Sequence, residues 1–351
     1  MMQLRSWKRW LFALVVLHGI IAGAGFFAPY DPAEQDRERP YLPPMRIHLV
    51  DTQGHFHFRP FVYTEQMRGG SFDQFEERTE QAIPFRFFVT GARYHLLGLL
   101  PSRTHLFGAE ASRVYLLGSD AYGRDQLSRI LYGGQISLLA GLLGAGLTLF
   151  FGVLIGGTAG FYGGWRGGLL MRVAELFMAL PWLYLLFALR AFLPLSISPM
   201  QAFFLIIFVI GAVGWARPAR LVRGVVLSAK ERDFVHAARG FGATDSYLLW
   251  RHILPETSSV ILTQAAILVP QFVLAEMTLS FLGLGVPEPV PSWGSLLASL
   301  QQYSVLVSYW WMYLPAMAIV PFFLGYLGLA SALQQDAGTE KIARTAGGSR
   351  W

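Results

Sequence analysis

Six apolar runs constrain this chain more than any other feature: Trp10–Phe27, Ser137–Gly160, Val173–Leu195, Gln201–Ala219, Ser259–Gly283 and Ser308–Ser331. Crossing a hydrocarbon core about 30 Å thick takes roughly 20 helical residues, and each run is close to that length or longer. Lipid offers no partner to a backbone amide, so such runs fold as helices. Of the 351 residues 54% are hydrophobic and 14% charged, whereas about a quarter are charged in a soluble domain. The pattern predicts an all-α polytopic membrane protein with six transmembrane helices.

Arg5, Lys8 and Arg9 precede the first run, as in a signal peptide, but Phe26-Phe27-Ala28-Pro29 is a poor small-residue cleavage site, so an uncleaved helix is expected. With the N-terminus inside, the inner segments hold Arg166, Arg172, Arg217, Arg220, Arg223, Lys230, Arg232, Arg239, Arg251, Lys341, Arg344 and Arg350. The short outer loops near Ser196 and at 284–307 hold no Lys or Arg. Because basic residues stay on the cytoplasmic side, both termini are predicted there. The net charge of +6 then reflects topology rather than nucleic-acid binding. The chain has no Cys, which excludes thiol chemistry, disulfides and cysteine metal sites.

Between the fourth and fifth runs lies a polar interval, Ser228–Pro255, too charged to enter lipid. Ser228 and Glu231 have capping-box spacing, predicting a helix from Ala229 with Phe234, Val235, Ala238 and Phe241 along one side. Gly240 and Gly242 permit the left-handed backbone that ends a helix. Thr244 and Asp245 can cap a second helix carrying Tyr247, Leu248, Leu249 and Ile253, with Pro255 as its stop. The expectation is two short helices about a glycine turn, on the cytoplasmic side.

His236-Ala237-Ala238, then Gly242, then Leu254-Pro255 resembles the E-A-A-x-x-x-G-x(9)-I-x-L-P loop of inner-membrane permease subunits of bacterial ABC importers. His236 stands where that motif has Glu, and His252 where it has Ile. The run R-H-I-L-P at 251–255 is nonetheless the form usual in the dipeptide, oligopeptide and nickel branch. Residues 117–134, A-G-F-Y-G-G at 159–164 and L-S-F-L-G-L-G at 279–285 are similar to the same branch. The resemblance implies the ABC importer permease fold, with His236, Ala237, Ala238, Gly242, His252, Leu254 and Pro255 coupling the chain to an ATPase. It also implies a second homologous permease, two cytoplasmic ATPase subunits and an extracytoplasmic substrate-binding protein as partners. Di- or oligopeptides are the implied substrates, with nickel or another small solute as the alternative. ATP and Mg would be bound by the partner ATPases, leaving no cofactor in this chain.

On this reading residues 1–28 form the first transmembrane helix, 29–116 a β-rich outer insertion, 117–335 a five-helix core containing the 228–255 loop, and 336–351 a cytoplasmic tail. Within the insertion, alternating residues at Arg46–Tyr63 around Thr52-Gln53-Gly54 predict a hairpin. Ile83–Thr90 and Arg93–Leu100, joined at Gly91, predict a second hairpin, and Arg113–Leu117 a further strand. The insertion either meets the binding protein and shapes the pore mouth, or packs on the partner subunit. His48, His55 and His57 are near one another, but no further ligand is placed to complete a metal site. Asp120 and Asp125 are expected to cap a helix and pair with Arg124 and Arg129.

Ionisable residues at membrane depth are functional candidates. Arg190 can snorkel outward and Glu175 has Arg172 one turn away, whereas Glu276 has no basic neighbour in its own turn. Glu276 either faces the translocation pathway or bonds to a neighbouring helix. None of Lys8, Lys230 and Lys341 follows a G-x-x-x-x-G-K-[ST] phosphate loop, so no ATP hydrolysis is expected of this polypeptide. An ion-coupled secondary transporter would show inverted repeats and buried coupling groups. A membrane hydrolase would need facing His, Asp or Glu sets, which the six runs lack.

Overall fold

The computed structural model describes residues 6–67, 75–96, 98–109, 112–192 and 197–347. In chain order these form α1 (Ser6–Ala22), α2 (Ala24–Phe27), β1 (His48–Val50), β2 (Phe56–Met67), β3 (Phe75–Pro84), β4 (Arg86–Leu96), β5 (Leu100–Gly108), α3 (Gln126–Tyr162) and α4 (Gly164–Ala179). There follow α5 (Trp182–Phe192), α6 (Pro199–Val213), α7 (Ala216–Lys230), α8 (Asp233–Gly240), α9 (Asp245–Tyr247), α10 (Ser258–Phe281), α11 (Trp293–Ala298), α12 (Tyr303–Ser308) and α13 (Leu314–Gly347). The chain divides into two compact units: residues 15–137 with 277–321, and residues 1–14 with 138–276 and 322–351.

Among the described residues four helical stretches are long and apolar enough to cross a membrane: Gln126–Tyr162, Met200–Lys230, Asp245–Phe281 and Trp310–Asp336. The other two expected spans differ. The first run forms the 17-residue α1 and then α2. The third breaks at Leu180, which is extended at ψ 125° ahead of Pro181, because a proline ring disfavours the helical conformation in the residue before it. The side chain of Arg190 lies outside the described residues. Pro270 and Pro321 sit inside continuous helices.

In the second unit, glycines let helices approach closely where lipid supplies no hydrophobic drive between them. A Cβ on Gly156 of α3 would overlap the backbone of Ala219 in α7, and one on Gly144 would run into the ring of Phe272 in α10. Thr148 donates to Gly211 O at 2.8 Å and joins α3 to α6.

In the first unit, β1, β2 and β3 form an antiparallel sheet, and β4 and β5 a separate two-stranded ribbon. The β1–β2 hairpin turns at 51–55, around the expected Thr52-Gln53-Gly54. The second hairpin does not turn at Gly91, which lies within β4; the positive-φ Gly98 is in the turn instead. Gly91 has a packing role, since a Cβ there would strike the His105 ring across the ribbon. Residues 113–117 form no strand: Val114 and Tyr115 are buried with Leu42, Met45, Val62, Ile83, Phe85 and Phe107, and Tyr115 O accepts from Met45 N (2.9 Å) without a ladder forming.

Candidate functional site

The polar interval begins differently from its sequence signature. Ser228 lies inside α7, and Glu231 caps the C-terminal end of that helix. Val222, Val226 and Ala229 continue one buried stripe at helical spacing, so burial carries α7 past the Ser228–Glu231 capping pattern. The next helix, α8, starts at Asp233 with Arg232 as its N-cap and no side-chain cap bond.

α8 ends in a Schellman closure. Ala243 N–H bonds Ala238 O (3.1 Å), Gly242 N–H bonds Arg239 O (3.0 Å), and Gly242 has φ +87°. This six-to-one and five-to-two pattern needs a left-handed residue at the position Gly242 fills. Thr244 Oγ1 then accepts from Tyr247 N (3.3 Å) and caps α9 as expected. Pro255 does not stop the chain. Residues 248–253 widen into a π turn in which Leu254 N–H bonds Leu249 O, and a 3₁₀ turn over Leu254–Thr257 leads into α10. The change of helix type absorbs the amide hydrogen that proline lacks.

One side of this assembly is fixed to the span ends. Val235, Leu248, Leu249, Ile253 and Leu254 are buried with Phe161, Val222, Val226 and Ala229, and Ala238 and Ala243 pack against them. Arg232 pairs with Glu256 (2.8 Å) and Arg239 with Asp245 (3.2 Å), both at the surface. The other side is open: His236, Ala237, Gly242 and Pro255 are exposed, with Phe234, Tyr247, Trp250 and Phe241, the last 93% exposed. The expected coupling residues therefore separate. His236, Ala237, Gly242 and Pro255 face solvent. Leu254 belongs to the core, where it meets Gly157 of α3. Ala238 is half-buried, and the His252 ring lies between Tyr247 (5.2 Å) and Phe234 (6.3 Å). Glu276 is 2% exposed within α10.

A second cluster lies ahead of α3. Asp125 caps that helix, its Oδ2 accepting from Ser128 N (2.8 Å) and Oγ (2.7 Å). Burial pushes its carboxyl up to about 6, against the Ser128 bonds. Asp120 Oδ2 accepts from Arg124 Nε (2.7 Å) and lies 3.4 Å from Arg129 Nε, so the expected roles divide: Asp125 caps the helix and Asp120 pairs with both arginines. Sequence reasoning missed Glu288. Its Oε2 is 2.5 Å from Arg124 Nη1 and its Oε1 2.9 Å from Arg129 Nη2, so it bridges two buried guanidiniums from the loop after α10. Partial burial raises the Glu288 carboxyl, but Arg129 and Arg124 outweigh that and hold it below its ordinary value. No local motif announces this role, since the partners are more than 150 positions away. Of the three histidines, His48 meets Glu77 (3.3 Å), while His55 (3.4 Å) and His57 (3.0 Å) share Asp51.

Residues 152–338 match the family described as binding-protein-dependent transport system inner membrane component. The oligopeptide transport system permease protein OppC of Haemophilus influenzae is 36% identical over 59% of this chain and 65% of its own length. OppC of Escherichia coli K12 is 40% identical over 59% of this chain and 67% of its own. The dipeptide transport system permease protein DppC of Bacillus subtilis is 34% identical over 63% of this chain and 67% of its own. The matches thus span about two thirds of these relatives, and just under that for the first. A chain of the solved MetNI methionine ABC transporter aligns with a TM-score of 0.40 at 18% identity, over 58% of this chain and 97% of that one.

Proposed function

The chain belongs to the family of binding-protein-dependent transport inner membrane components, and from that premise we propose that it is a permease subunit of an ATP-driven importer of di- or oligopeptides. Relatives that carry oligopeptide and dipeptide transport in their names support the substrate class. The observation that carries the mechanism is the two-sided build of α8 and α9. One side is locked into the ends of α3, α7 and α10, and the other presents Phe241, His236 and Ala237 to solvent. A short rigid helix seated in a groove passes displacement to whatever it is packed on, whereas a flexible loop absorbs it.

In this reading the 228–255 assembly docks on a cytoplasmic ATPase. ATP and Mg belong to two such ATPase subunits, since the chain lacks a phosphate-loop motif. A second homologous permease completes the path, and an extracytoplasmic binding protein delivers substrate. In this reading both termini lie in the cytoplasm, which the Lys and Arg distribution supports. α1 with α2, and α4 with α5 across the Pro181 break, supply two further spans and bring the total to six. The insertion at 29–116 then lies outside, and Glu276 is assigned to the pathway-side packing of α10.

The test is uptake of a labelled dipeptide into vesicles containing the chain and its partner subunits. Uptake should require ATP on the cytoplasmic side, and Phe241→Glu should release the ATPase during purification while leaving membrane insertion intact. Uptake that continues on a proton gradient without ATP would refute the proposal.

A further inference from the structure

The β4–β5 ribbon is a structural oddity. Two antiparallel strands outside any larger sheet are marginal in water, and this pair exposes Phe87, Phe88, Leu100 and Leu99, the last 80% exposed. Its base is fixed to the end of the first apolar helix. The Tyr94 ring fills the space beside Gly25, His105 Nδ1 lies 2.6 Å from Ala28 O, and the Phe26 and Phe88 rings are 6.3 Å apart. The ribbon is thus attached at the end of the first apolar run.

Charge distinguishes the ribbon from the neighbouring sheet. Residues 86–108 contain Arg86, Arg93 and Arg103 and no Asp or Glu, and all three arginines are exposed. The β1–β3 segment, residues 48–84, carries Asp51, Glu65, Asp73, Glu76, Glu77 and Glu80 against Arg59, Arg68 and Arg78, and is therefore acidic on balance. A surface combining aromatic and leucine side chains with arginines and no acids suits the headgroup layer, where apolar groups enter the acyl boundary and cations meet lipid phosphate. We propose that the β4–β5 ribbon is a membrane-surface anchor, lying against anionic lipid headgroups beside the first helix, while the acidic β1–β3 sheet stays in water. This anchor rests on the reading of α1 and α2 as a membrane span and not on the transport activity, because it follows from the attachment to α2, the exposed apolar side chains and the one-sided charge.

The chain has no native Cys, so a single engineered thiol can be labelled alone. Leu99→Cys, Leu100→Cys and, as a control on the other sheet, Phe58→Cys would each carry an environment-sensitive fluorophore in the full chain, assembled with its partners. Vesicles would contain phosphatidylglycerol. Labels at 99 and 100 should emit at shorter wavelength, be quenched by a nitroxide near the lipid headgroup, and resist aqueous iodide; the label at 58 should do the reverse. Exchanging phosphatidylglycerol for phosphatidylcholine, or combining Arg86→Gln, Arg93→Gln and Arg103→Gln, should reduce lipid quenching at 99. Iodide quenching at 99 and 100 equal to that at 58 would overturn the proposal. So would shielding that persists in lipid-free detergent only when the second permease is present, which would assign the ribbon to a protein partner.

Discussion

Replacing Gly242 in turn by Ala, Asn and Asp separates the backbone demand of the α8 turn from charge at its surface. At φ +87° a side chain is strained, yet nothing in the protein lies within 4 Å of a Cβ built there, so overpacking contributes nothing. A left-handed alanine costs about 1–2 kcal/mol, and Asn and Asp less because their short side chains tolerate that region. The strain cannot unfold the assembly, which is held by the buried group around Val235, Leu248 and Ile253. It opens the Ala243–Ala238 and Gly242–Arg239 bonds instead. If docking needs the closed turn, Gly242→Ala should weaken ATPase binding by roughly five- to thirtyfold, since 1.4 kcal/mol is about a factor of ten. Gly242→Asn should weaken it less. Asp nearly matches Asn in shape, so any further loss in Gly242→Asp measures charge at the dock. The assay is titration of reconstituted complex with ATPase subunit, read as substrate-stimulated ATP hydrolysis. Full stimulation and wild-type affinity in Gly242→Asp would show that this turn takes no part in coupling, and Asn weaker than Ala would show that backbone conformation is not what limits docking.

Removing Glu288 leaves the buried Arg124 and Arg129 with Asp120 as their paired carboxylate. A charge-assisted hydrogen bond contributes about 1.5–3 kcal/mol, and the half-exposed Glu288 (50%) is partly screened, so Glu288→Gln should destabilise the protein by about 2 kcal/mol and lower its thermal midpoint in detergent. Because the folded carboxyl titrates below its ordinary value, the clamp is fully present above about pH 4.5 and lost as pH falls further; Glu288→Gln should flatten that acid limb, and an unchanged limb would contradict the clamp. Glu65, raised to about 7 by burial and then by the facing charge of Glu77, has the opposite sign: its contribution is fullest below about pH 4.5 and is lost as pH rises towards 7. Glu65→Gln should therefore stabilise the β1–β3 sheet at pH 8 and change little at pH 4, measured by proteolysis within residues 48–84. Gly156→Leu should prevent α3 and α7 from approaching, since its side chain would enter the Ala219 backbone; loss of the monodisperse detergent-solubilised protein is expected, and a well-folded variant would refute that close approach.

The amino-acid order alone establishes that this chain is built on membrane helices, because long apolar runs have one way to satisfy their amides in lipid. It also placed the glycine at the end of α8 and the Thr244 cap, since both depend on neighbours a few residues away. Other features depend on distant burial. α7 runs through the Ser228–Glu231 capping pattern because Val226 and Ala229 have a core to enter. The helix continues through Pro255 because a π turn keeps Leu248, Ile253 and Leu254 buried. Gly91 became a packing position rather than a turn once His105 stood across from it. Glu288 became a clamp once the loop after α10 met the head of α3. Local chemistry proposes caps, turns and breaks, and long-range packing selects among them, since burying several apolar side chains outweighs one hydrogen bond at a helix end.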